Sequence, residues 1–301
     1  MAISRQQLAK ELEPGLNALF GLEYQNYENQ HTEIFDTETS DRAFEEEVML
    51  TGFANASVKA EGSAVSFDSA NESFTSRYTH ETIALAFSIT EEAIEDNLYD
   101  SIAKRYTKAL ARSMANTKQI KAANVLNNAF SSGSAGGDGK ELCATDHPTQ
   151  SGTFSNELAT SADLNETSLE QAMIDIAAFT DERGLKIAAR GVKMIIPSEL
   201  QFTAERLMKT ANRTGTADND INAIVSKGMI SGGYVVNNYL TDTDAFFIKT
   251  DVPNGLKMFQ RAALKTAMEG DFDTGNVRYK ARERYSFGFS DPRGIFGSPG
   301  A

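Results

Sequence analysis

Cys143 and His147 stand close enough in sequence for a thiol and an imidazole base to form a nucleophilic pair. The plainer reading, a buried thiol and a turn histidine before Pro148, is preferred. The stretch Ser134-Ala-Gly-Gly-Asp-Gly139-Lys140-Glu141 has the glycines of a phosphate-cradling loop. It lacks the first glycine, puts Glu141 where a hydroxyl should hold magnesium, and follows a helical pattern, so nucleotide binding is not expected. Asp271-Phe-Asp273-Thr-Gly275 matches part of a calcium loop without the glutamate that completes one, and reads as a turn. His31, His80 and His147 are the only histidines, and none lies at helical ligand spacing from another. No catalytic residue, metal site or cofactor is therefore expected.

The remaining chemistry is charge. Residues 276–289 alternate: Val277, Tyr279, Ala281, Tyr285, Phe287 and Phe289 share one face with Glu283, and Arg278, Lys280, Arg282 and Arg284 share the other. Four like charges on one strand repel one another, so something negative is expected across them. Residues 1–50 hold eleven acids against three bases, and Glu45, Glu46 and Glu47 are the nearest candidates, with Glu61, Asp68 and Glu72 of a neighbouring copy as the alternative.

The elements that carry these residues read as follows. Residues 5–12 form a short helix, beyond which Pro14, Gly15 and Gly21 break the period. The first 50 residues nevertheless hold Leu16, Leu19, Phe20, Leu22, Tyr24, Ile34, Phe35 and Phe44, too many apolar groups to leave in water. They are expected to form an arm lying on another copy. Residues 51–89 read as a projecting hairpin with strands at 57–67 and 74–89 and a turn at 68–72. Its large side chains change phase near Thr79–Thr82, which means a bulge or a change of partner. A long helix spans about 90–130, with Ser88 and Glu91 as a capping box and Ile94, Leu98, Ile102, Tyr106, Leu110 and Met114 as its apolar stripe. Ser131–Gly139 is a break. An α/β pattern follows: a helix capped by Thr167 and Glu170, a strand at 192–196, a helix at 198–212, and strands at 234–239, 245–249 and 256–259.

Composition limits the function. The chain has 301 residues, a net charge of −13, 41% hydrophobic and 24% charged residues, and no tryptophan. These are globular values, and no apolar run is long enough to span a membrane. One cysteine excludes an intrachain disulfide framework. A pI near 4.8 argues against a dedicated nucleic-acid binder. An apolar arm, a projecting hairpin, a rod-like helix and a long amphipathic strand, without a catalytic constellation, describe a protein that packs against copies of itself.

In that order the chain resembles the major capsid proteins of tailed bacteriophages, with the HK97-type fold. The segments that carry the resemblance are Arg42-Ala-Phe-Glu-Glu-Glu-Val, Tyr78-Thr-His-Glu-Thr-Ile-Ala-Leu-Ala-Phe-Ser-Ile-Thr-Glu-Glu, Ala188-Ala-Arg-Gly-Val-Lys-Met-Ile-Ile-Pro and Tyr285-Ser-Phe-Gly-Phe-Ser-Asp-Pro-Arg-Gly. The resemblance implies an α+β fold with an N-terminal arm (1–50), an E-loop hairpin (51–82), a peripheral domain with a spine helix (83–140), an axial domain (141–267) and a return to the peripheral domain (268–301). It implies hexamers and pentamers of an icosahedral head enclosing double-stranded DNA without sequence-specific contacts; the alternative is an encapsulin-like shell around a cargo enzyme. The expected partners are copies of the chain, a separate scaffolding protein, a portal and cement proteins, with assembly in the bacterial cytoplasm and no membrane. The expected subunit-interface residues are Phe20, Phe35, Glu46, Glu47, Lys59, Glu61, Asp68, Glu72, Arg77, Arg278, Lys280, Arg282 and Arg284. No crosslinking motif is matched at Lys59 or Lys140.

Overall fold

The computed structural model describes residues 5–90, 92, 99–212, 220–271 and 274–301. Two four-stranded sheets organise them. In the first, the order is β1 (Asp36–Thr39), β10 (Leu256–Gly270), β11 (Val277–Phe289) and β4 (Glu81–Ile89). β1 runs parallel to β10, and β10, β11 and β4 are antiparallel neighbours. The alternation expected for β11 is present: Tyr279, Ala281, Glu283 and Tyr285 are buried, while Arg278, Lys280 and Arg282 are exposed. β10 extends well past the expected end at Phe259, because β11 offers it a partner as far as Gly270, with register shifts between Gln260 and Lys265.

Two helices cover the buried face of this sheet. Helix α1 runs from Arg5 to Gln25 with Pro14 inside it, well beyond the short helix expected. A proline within a helix removes one hydrogen bond and costs about 3 kcal/mol. Leu16, Phe20 and Tyr24 recur every fourth residue and pack in a cluster with Leu110, Met114 and Tyr279, and that burial offsets the loss. Most of the arm's large apolar groups therefore have partners within their own chain: Phe20, Ile34 and Phe35 are 1%, 0% and 2% exposed, whereas Leu22 and Phe44 stay exposed. This corrects the expectation that they cover another copy. Phe20 and Phe35 are core residues.

Helix α2 spans Tyr99–Asn127, about 44 Å of rod. The expected positions Glu91, Ile94 and Leu98 lie outside the described residues, as does the side chain of Ile102. Of the rest, Leu110 and Met114 are buried, but Tyr106 is exposed. The inward face is built largely from Ala103, Ala111, Ala115, Ala122 and Ala123, which let the rod approach closely. A stripe judged by large side chains misses such a face.

The second sheet has the order β12 (Ile295–Ser298), β9 (Phe246–Thr250), β7 (Gly191–Ile196) and β8 (Tyr234–Val236). Helices α3 (Glu166–Ala177), α4 (Gln201–Lys209) and α5 (Ala223–Lys227) accompany it. The cap of α3 is Asn165, not Thr167: Ser168 N–H donates to Asn165 Oδ1 at 2.9 Å and Asn165 N–H to Ser168 Oγ at 3.0 Å. β10 belongs wholly to the first sheet, and β12 joins the second, so the chain crosses between them at different points from those expected. A shared cluster including Ile34, Phe35, Leu126, Ile195, Phe247 and Met258 joins the two.

The one charge on the inner face of β11 is paired through one of its two oxygens: Glu283 Oε2 holds the partners, and Oε1 is buried without a hydrogen bond among the described residues. Lys118 of α2 contacts Glu283 at 2.7 Å and donates to Tyr24 Oη of α1 at 3.0 Å; Tyr24 Oη in turn donates to Glu283 at 3.3 Å. Burial works against the Lys118 ammonium, but Glu283 and Tyr24 outweigh it and hold its pKa above the ordinary lysine value. His31 is pinned beside the same helix, its Nδ1 accepting from Gln119 Nε2 at 2.9 Å, and burial with the nearby Lys118 charge lowers its pKa to about 4.

Two outcomes are expected. Lys118→Met strands a buried carboxylate and should cost about 3–5 kcal/mol in urea unfolding, whereas Lys118→Met with Glu283→Gln should recover much of it. His31 has its folded pKa below its unfolded one, so its contribution is complete above pH 6.5 and is lost as pH falls toward 4. In His31→Asn, whose Oδ1 replaces the acceptor, the acid limb of a stability–pH curve should be shallower by about 3 kcal/mol.

Candidate assembly surface

Strands β2 (Phe44–Leu50) and β3 (Glu72–Thr79) pair antiparallel, Phe44 opposite Thr79 and Val48 opposite Thr75. Beyond them the two limbs continue side by side without forming the strands expected at 57–67. Thr51 N–H donates to Asn71 O at 2.9 Å, Ala54 N–H to Asp68 Oδ2 at 2.8 Å, and the Ser57 and Ser66 hydroxyls meet at 3.0 Å. The chain reverses at Glu61-Gly62, where Gly62 takes φ +77° and Ser63 N–H donates to Ala60 O. The turn is therefore not at 68–72: Asp68 accepts amides from Ala54 and Ser69 and braces the limbs. The change of partner expected near Thr79–Thr82 occurs at His80: β3 pairs with β2, and β4 with β11.

The ribbon carries bare apolar side chains on both limbs around the Ser57–Ser66 contact. Val58, Phe67 and Val65 are 100%, 98% and 63% exposed.

The ribbon's base, by contrast, is clamped. Lys257 of β10 is buried between Glu38, at 2.9 Å, and Glu47. Arg77 pairs with Glu46 at 3.4 Å and lies 3.8 Å over the Phe44 ring. Arg183 donates to Ser69 O at 2.6 Å and approaches Asp68 at 3.7 Å. His80 links both chain crossings, contacting Ser40 Oγ at 2.9 Å and Ser286 Oγ at 3.0 Å. Burial and then the Arg284 charge lower its pKa, favouring the neutral ring.

These contacts correct the expected partner of the basic stripe. Glu46 and Glu47 are held by Arg77 and Lys257, and Glu45 accepts from Ser40 and approaches Arg42 at 3.8 Å, so the chain's own acidic segment is engaged elsewhere. Arg278 pairs with Asp271 at 2.5 Å. Lys280, Arg282 and Arg284 make no ion pair among the described residues. Lys59, Glu61 and Glu72 are exposed along the ribbon. No sequence signal points to Lys257 or Arg183; His80 is weighed in the sequence only as a metal ligand, and the phase change around it is the signal for its place at the crossing.

The other chemistry resolves into packing. Cys143 is buried, and desolvation raises its pKa well above the ordinary thiol value. His147 contacts Asp138 Oδ2 at 2.6 Å and Asn156 Oδ1 at 3.1 Å, so both ring nitrogens already have partners. Asn156 Nδ2 donates to Leu142 O and Pro292 O and fixes the amide's orientation. In the glycine stretch, a Cβ at Gly137 would meet Thr75 O at 2.6 Å, so this loop packs on the hairpin's return strand. Asp271 is taken by Thr274 and Arg278 in the turn before β11; Asp273 lies outside the described residues.

The comparisons agree with this architecture. The family model of the phage capsid protein matches residues 72–297. The capsid of a native GTA particle shares 14% identity over 90% of each chain, with a TM-score of 0.57. The capsid of cyanophage P-SCSP1u shares 11% over 89% of this chain and 86% of its own, with a TM-score of 0.58. A virus-like particle from Pyrococcus furiosus shares 11% over 95% and 98%, with a TM-score of 0.55. A comparison with curated proteins finds no match. An α+β chain of two joined sheets, a rod helix and a projecting ribbon is the HK97-like capsid fold, and with its family model spanning about three quarters of the sequence the chain belongs to the phage capsid protein family.

Proposed function

We propose that the chain is a major capsid protein whose copies form the hexamers and pentamers of an icosahedral head around double-stranded DNA. The observation that carries this reading is the ribbon of residues 51–71, whose Val58, Val65 and Phe67 side chains stand in water at the end of a clamped base. Isolated chains seldom hold such a surface bare, and a second copy is the partner the family supplies. The acidic balance of −13 supports enclosure of DNA without tight binding, because net negative charge repels phosphate. A separate scaffolding protein, a portal, cement proteins and assembly in the bacterial cytoplasm belong to the same proposal. The reading is structural and involves no catalysis.

Electron microscopy of the purified chain should show closed shells containing nucleic acid when made in infected cells; shells holding a protein cargo instead would favour an encapsulin-like role. Val58→Asp with Phe67→Asp should abolish shells while leaving circular dichroism and unfolding of the body unchanged, and normal shells from this variant would refute the ribbon's role. Amide hydrogen exchange at 52–71 should slow by at least tenfold on assembly, because these limbs have few backbone partners in the single chain. Equal protection in both states would contradict it.

A further inference from the structure

The outer face of the first sheet carries a basic row with an open edge beside it. Lys280, Arg282 and Arg284 alternate along β11, and Lys265 of β10 lies directly opposite Arg282. These four make no ion pair among the described residues, and Arg284 Nε is buried without a hydrogen-bond partner. On the other side of β11, Thr82, Ala84 and Ala86 of β4 lie opposite Arg284, Arg282 and Lys280. All three are small and exposed, so they leave room for long basic side chains to reach across them.

Among the described residues, β4 has β11 as its only sheet partner. Residues 82–89 of this edge strand carry no charge, and Leu85 on its opposite face is 47% exposed. Long, uncharged edges are normally covered or broken by a charge or a proline, because their free amides and carbonyls accept another strand.

We propose that the β4 edge receives an extended acidic peptide from another chain by strand addition, with carboxylates at alternate positions gripped by the basic row. The geometry selects this occupant. An added strand would lie about 10 Å from β11, within the joint reach of an arginine and a glutamate across an intervening alanine. Alternate residues of the added strand repeat about every 7 Å, the same period as Lys280, Arg282 and Arg284. Its other face would place apolar side chains beside Leu85. The chain's own ribbon is a poor match, since the side chains it leaves bare are Val58, Val65 and Phe67. This surface is distinct from the ribbon and goes beyond shell formation.

The test uses the purified chain, with shells and free chains separated before titration. The probe is a fluorescein-labelled eleven-residue peptide of alternating glutamate and valine. It should bind at least tenfold more tightly than a peptide of the same composition with its glutamates in one block. Arg282→Ala with Arg284→Ala should weaken binding at least tenfold, and so should rising salt. Of two probes N-methylated at alternate residues, one in each register, one should lose binding, because only one edge of the peptide meets β4. That measurement leaves the protein unaltered. Equal binding of the block peptide, or full binding of both N-methylated probes, would reduce the row to nonspecific charge and overturn the proposal. Binding of an oligothymidine of twelve nucleotides in place of the peptide would overturn it in favour of a phosphate surface. Shell formation read by microscopy is scored separately, so either proposal can fail alone.

Discussion

A β-strand gives every second side chain to each face, and β11 fills its two faces with opposite chemistry. Tyr279, Ala281 and Tyr285 must be covered, and α1 and α2 cover them. Arg278, Lys280 and Arg282 must remain accessible or be neutralised, and all three are exposed among the described residues. β10, β4 and β1 take their places in relation to this strand, and the rod of α2 is held where its alanines can approach the sheet. Glu283 is the one position where the alternation puts a carboxylate inward, and Lys118 and Tyr24 converge on it from the two covering helices.

The ribbon shows a complementary division. Charge is spent at its base, where Glu46, Glu47 and Asp68 meet Arg77, Lys257 and Arg183. Lys257 is buried between two carboxylates, and an ion held in such surroundings loses heavily if either partner departs, which makes the base stiff. Apolar surface is placed toward the tip, where the single chain provides nothing to cover it. A stiff base and a bare tip together give a projection whose direction is set by its own chain. His80, bonded to Ser40 and Ser286 where both limbs leave the body, fixes that direction.

Several features were determined by local sequence. The alternation of 276–289, the strand ending before Pro197, and the long helix through 99–127 follow from period and from breakers, which act over a few residues. The change of partner at His80 was also legible, because a two-residue period shows its own phase. The segments Arg42–Val48 and Tyr78–Glu92 carried the resemblance to capsid proteins for the same reason: they are continuous patterns.

Only the tertiary structure decided the rest. Pro14 marks a helix end by local rules, yet α1 runs through it because Leu16 and Phe20 are buried against α2, a contact between residues about 90 apart in sequence. The arm's aromatics looked unpartnered because their partners, Tyr279 and Phe287, lie near the other end of the chain. Glu45, Glu46 and Glu47 could be counted as available charge from sequence, but Lys257 and Arg77 claim two of them through folding. Charge, period and breakers are properties of a segment and are fixed by its residues. Burial and pairing are properties of two segments at once, and no local pattern names the second.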